Sequence, residues 1–142
     1  MRPIRAVEIG RAVEIGRPAV AVDVLVIEDD RLIRELLGEL LASAGYRVTV
    51  AKNGTEGLRR FADGRFHVVV TDVRMPGPDG WEVARRLREA SADVGIIMSA
   101  SLDSEDNTRG EDCCRLAILA KPFTLEQLTA TIDRLVTVRQ AA

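Results

Sequence analysis

Three carboxylates stand side by side at Glu28, Asp29 and Asp30, directly after the apolar run Val24 to Ile27. Two unit charges ~4 Å apart at an effective dielectric near 20 repel by roughly 4 kcal/mol, so such a cluster calls for a cation. Hard oxygen donors without His or Cys favour Mg2+ over zinc. Asp72, Ser99 and Lys121 each end an apolar run of their own. An ammonium, a hydroxyl and a bound divalent cation make a receptor for an oxyanion such as phosphate, and an Asp placed there can form an aspartyl-phosphate. The lone His67 lies inside the third apolar run and reads as a core or strand-surface residue.

These residues meet only if the elements carrying them converge. Val22 to Ile27 is continuous and β-branched, as a buried strand is. Leu32, Ile33, Leu36, Leu37, Leu40 and Leu41 recur at helical spacing, and Gly45 closes that helix. Tyr46 to Ala51 is a second strand, Thr55 to Ala62 a helix entered through Asn53-Gly54, and Phe66 to Thr71 a third strand. The turn-rich RMPGPDG after Asp72 leads through Asp79-Gly80, a turn and cap, into a helix carrying Trp81, Val83, Ala84 and Leu87. Gly95 to Met98 and Leu116 to Ala120 are strands four and five, and Leu125, Leu128, Ile132, Leu135 and Val136 mark a last helix, entered by a Thr124/Gln127 capping box. Strands alternating with helices imply a parallel α/β sheet covered on both faces. Ligands in such sheets collect at the carboxyl ends of the strands. Glu28, Asp29, Asp30, Asp72, Ser99 and Lys121 would then share one edge.

Ser101 to Arg115 fits this alternation poorly. It lies where a helix should cross from strand four to strand five, yet it is polar all round and lacks the apolar stripe that docks a helix. A short or irregular element is expected there.

The strings VLVIEDDRLIRELL, VVVTDVRMPGPDGWEVARRLR, IIMSA and LAKPF, in this order and spacing, resemble the receiver domain of response regulators in two-component systems, over about Val22 to Val138. The resemblance implies a flavodoxin-like doubly wound (βα)5 fold with strand order 2-1-3-4-5. It implies that Asp72 accepts a phosphoryl group from a sensor histidine kinase, a phosphotransfer protein or a small phosphodonor. It makes Mg2+ the cofactor, held by Glu28, Asp29, Asp72 and the main-chain carbonyl of Arg74. Lys121 would pair with the phosphoryl oxygens, with Pro122 at the family's cis-peptide position. Ser99 would move onto the phosphate, and the small Ala100 leaves it room. Arg74 and Ser101 would flank the path of the hydrolytic water. Where the family usually carries Tyr or Phe as a rotamer switch, this chain has Ile118, so the readout is expected to differ while the chemistry stays. On the same pattern Glu28 and Asp29 form the metal pair, and Asp30 caps the helix that begins at Arg31.

Plainer readings exist for single residues: Asp72 as a helix cap, Ser99 as a core hydroxyl, Lys121 as a solvated lysine. A receiver-like scaffold with vestigial phosphorylation is the competing function. An Asp-nucleophile phosphatase would show a second Asp two residues after the nucleophile, where Arg74 stands, and no P-loop or dinucleotide fingerprint is present.

The 142 residues, 46% hydrophobic and 30% charged with net charge -2, fit one globular domain. No basic nucleic-acid footprint and no run of the roughly 18 apolar residues a membrane helix needs are visible. Residues 1–20 read as a tail holding the hexapeptide RAVEIG twice, and residues 21–139 as the receiver, with no output domain after it. The adjacent Cys113 and Cys114 suit neither a disulfide framework nor a CxxC metal site. The expected setting is the cytoplasm, and the expected partners are a histidine kinase or phosphotransfer protein and a downstream protein, with neither nucleic acid nor membrane.

Overall fold

The computed structural model describes residues 21–101 and 115–141. The duplicated hexapeptide, most of the polar 101–115 segment and the two cysteines lie outside the described residues. The elements run β1 (Asp23–Ile27), α1 (Arg31–Ser43), β2 (Arg47–Ala51), α2 (Gly54–Asp63), β3 (Val68–Asp72), α3 (Gly80–Ala90), β4 (Gly95–Ser101), β5 (Leu116–Lys121) and α4 (Leu125–Ala141). The five strands pair in parallel in the order β2-β1-β3-β4-β5, the topology that the resemblance implied.

The continuous apolar strands make sense because both faces are covered and neighbouring side chains point to opposite faces. Leu25, Ile27, Val69, Ile96 and Met98 pack with Val83 and Leu87 on the face of α3. Val24, Val26, Val68, Val70 and Ile97 pack with Leu41, Leu128 and Ile132 on the face of α1 and α4.

Local signals set the helix ends. Asp30 accepts from the Ile33 amide at 3.1 Å, Asn53 from Glu56 at 2.8 Å and Asp79 from Glu82 at 3.0 Å. The Thr124/Gln127 box is reciprocal, at 2.8 and 3.0 Å. Gly45, with φ 104°, takes the left-handed conformation after α1 that residues with a Cβ avoid.

Several boundaries and one face depart from the sequence reading. β1 begins at Asp23 and β2 at Arg47, and β3 begins at Val68, so His67 precedes it and its Nδ1 accepts from the Asp23 amide at 3.0 Å. β4 continues to Ser101, which places Ser99 within the strand. On α1 only Leu41 is fully buried, while Leu32, Ile33 and Leu36 are 76%, 45% and 55% exposed.

Candidate functional site

β1 has β2 on one side and β3 on the other, so the chain order reverses there and a crevice opens at the strands' carboxyl ends. Glu28 and Asp29 leave β1 on one side of it, and Asp72 ends β3 on the other. Carboxylate oxygens of Glu28, Asp29 and Asp72 all lie within 4.8 Å of one another. Glu28 and Asp72 are buried and Asp29 is exposed.

Two donors come from further along the sheet. Ser99 is the register partner of Asp72 across the β3–β4 pair, and its hydroxyl donates to Asp72 Oδ1 at 2.7 Å. Lys121 ends β5, one strand beyond, and its long stem crosses β4 to set Nζ 2.5 Å from the same Oδ1. The peptide bond from Lys121 to Pro122 is cis. One carboxylate oxygen thus receives both an ammonium and a hydroxyl.

The β1–α1 turn is tied down around the acids. The Glu28 amide donates to the Ala51 carbonyl at 3.0 Å, and the Asp30 amide donates to Glu28 Oε2 at 3.0 Å. Arg34 Nη1 donates to the Glu28 carbonyl at 3.0 Å. Arg34 was not among the residues singled out in the sequence. A cation near the start of α1, in a first turn without acidic residues, runs against the helix dipole and was the signal available.

Burial, followed by a hydrogen bond to Asp72, raises the Glu28 carboxyl from 4.5 to about 7. Proton retention by a carboxyl is the expected response of clustered acids facing one ammonium. A donor set of hard oxygens, clustered and under-neutralised, fits Mg2+, with Glu28, Asp29 and Asp72 as the residues that would hold it.

The other expected residues fall around this centre. Arg74 is exposed on the turn after β3, and Ser101 is exposed at the end of β4. Ala100, beside Ser99, is buried, and Ile118 pairs with Met98 and packs partly buried on the α3 face of the sheet. Gly80 opens α3 directly beneath Asp72: its amide donates to the Val73 carbonyl at 2.7 Å, and a Cβ there would collide with the Asp72 carbonyl.

The site opens into a cavity of about 470 Å³ that passes from Asp72, Ser99 and Lys121 to Ile33, Leu37 and Phe123. Ile33, one of the exposed apolar residues of α1, therefore lines the same cavity as the Asp72 carboxylate.

Comparison with known proteins agrees with this arrangement. Residues 24–133 match the response regulator receiver domain family. The response regulator MprA of Mycobacterium sp. (strain KMS) is 41% identical over 115 residues, which is 80% of this chain and 50% of that protein. The chain thus spans about half the length of the curated relatives it matches. A response regulator receiver domain protein from Clostridium thermocellum superposes with a TM-score of 0.79 at 27% identity, covering 84% of this chain and 98% of that one. The response regulator TrrA from Thermotoga maritima, solved in complex with Mg(2+)-BeF, gives 0.71 at 31% identity, covering 80% and 98%. With the sheet order, the buried acidic edge and the family match in agreement, this chain belongs to the response regulator receiver domains, the signalling domains of two-component systems.

Proposed function

We propose that Asp72 is the phosphoacceptor of a Mg2+-dependent switch. The observation that carries this reading is the convergence of Ser99 and Lys121 on one oxygen of a buried aspartate whose neighbours are two further carboxylates. An Asp72 oxygen attacks phosphorus, the bond from phosphorus to the donor's nitrogen or oxygen breaks, and the donor leaves with the electron pair and takes up a proton. Phosphoryl transfer of this loose kind asks for positioning and charge neutralisation rather than covalent help. Lys121 neutralises the phosphoryl oxygens, and Ser99 turns from Asp72 to donate to them. Bound at Glu28, Asp29, Asp72 and the Arg74 carbonyl, Mg2+ supplies further neutralisation. Arg74 and Ser101 border the approach of the hydrolytic water and tune the lifetime of the phosphoryl group.

A phosphohistidine of a kinase or phosphotransfer protein reaches Asp72 through the cavity between α1 and the loop after β5. Its apolar wall, Ile33, Leu37 and Phe123, gives a protein donor somewhere to dock. The change at Ser99 then alters what the domain binds, or the phosphoryl group passes onward in a relay.

Incubating the protein with acetyl phosphate or phosphoramidate and Mg2+ should add the mass of one phosphoryl group, and Asp72→Asn should abolish the gain. No gain in the parent protein would instead favour a receiver-like scaffold.

A further inference from the structure

Asp29 also lines a second, polar cavity of about 420 Å³, together with Arg34, Lys52, Asn53 and the Pro76-Gly77-Pro78 turn. It sets two cations beside one of the carboxylates read above as metal ligands. Among the described residues, neither Arg34 nor Lys52 forms an ion pair with Asp29. Asp29 instead keeps an oxygen within 4.8 Å of those of Glu28 and Asp72. The Arg34 guanidinium is committed elsewhere, to the main-chain carbonyl of Glu28 at 3.0 Å.

We infer that Arg34 is a positioning residue for the Mg2+ site. It clamps the peptide joining Glu28 to Asp29, so that Asp29 faces the acidic cluster and not the cations of its own cavity. The inference deepens the reading of Glu28 and Asp29 as metal-holding residues and rests on it. The β1–α1 turn has few other ties: the Glu28 amide bond to Ala51, the Asp30 amide bond to Glu28 and the Asp30 cap. Arg34 is the tie that reaches the Glu28–Asp29 peptide from a side chain six residues on. Partners that orient metal ligands from outside the coordination sphere typically change metal affinity by about 10- to 100-fold when removed.

Charge alone predicts the opposite sign. A guanidinium near Asp29 repels a divalent cation, so a purely electrostatic role would have Arg34→Met tighten Mg2+ binding. Positioning requires that it weaken.

The test is calorimetric titration of the full chain with MgCl2, alongside urea unfolding in metal-free buffer and the Mg2+ dependence of acetyl phosphate labelling. Arg34→Met should weaken Mg2+ binding by about tenfold or more. The labelling rate should return to the parent value at saturating Mg2+, because only affinity has changed. Arg34→Lys, which keeps a cationic donor on a differently shaped head group, should fall between, and it carries the same test should the Met variant not fold. Lys52→Met, which lines the cavity without touching the Glu28 carbonyl, should bind Mg2+ as tightly as the parent or more so. Unchanged or tighter binding in both Arg34 variants, or equal weakening in Lys52→Met, overturns the inference while leaving the metal site standing. Absence of Mg2+ binding by the parent protein overturns both.

Discussion

Glu28 and Asp72, the two buried carboxyls of the site, have oxygens within 4.8 Å of one another, and burial, reinforced by this neighbour, keeps a proton on Glu28 up to about pH 7. In the unfolded chain the same carboxyl titrates at its ordinary 4.5. Below that value both states hold the proton. Between it and about 7 only the unfolded chain releases it, so metal-free stability should fall as pH rises through this window and level off above. Urea midpoints in EDTA across the window measure it. Glu28→Gln, which cannot ionise, should flatten the profile; a parent profile already flat would show that Glu28 ionises normally.

Asp29 and Asp30 are adjacent yet differently employed. Asp30 caps α1 through the Ile33 amide, so Asp30→Ala should lower stability by about 1 kcal/mol and leave Mg2+ affinity near the parent value. Asp29→Ala should remove Mg2+ binding. Comparable loss of affinity in both variants would dissolve this division of labour.

Gly80 allows α3 to start against the Asp72 main chain, where a side chain would collide with that carbonyl. Backbone cannot swing away as a flexible side chain can. Gly80→Ala should cost about 1–3 kcal/mol, and acetyl phosphate labelling should slow because Asp72 moves with its peptide. Unaltered labelling with unaltered stability would mean the helix start yields freely.

Ile118 lies on the α3 face of the sheet beside Met98 rather than among the groups that touch Asp72. Ile118→Tyr should therefore leave the rate of acetyl phosphate labelling near that of the parent, while partner binding changes. A large effect on that rate, followed by mass spectrometry, would tie this face to the chemistry itself.

What could be read directly from the chain is what neighbouring residues decide among themselves. Asp30, Asp79 and the Thr124/Gln127 box cap their helices because the partner amide is three residues away. Continuous β-branched runs such as Val68 to Val70 announced strands buried on both faces. The list of polar strand ends likewise named the acids, Ser99 and Lys121.

Only the folded structure decided how those residues meet. Ser99 and Lys121 converge on one oxygen of Asp72 because strand register brings the ends of their strands within reach of it, and register is not encoded near either residue. Helical periodicity marked six apolar positions on α1, yet it reports spacing and not which arc meets the sheet. That arc is narrower than the apolar stripe, so Leu32, Ile33 and Leu36 remain outside, with Ile33 lining the site's cavity. Arg34 looked like one more surface cation until the turn brought the Glu28 carbonyl within reach of its guanidinium. Sequence by itself determined the elements and the cast of charged groups, since these follow from local propensity and periodicity. The tertiary structure decided which of those groups face one another, since that depends on contacts between residues far apart in the chain.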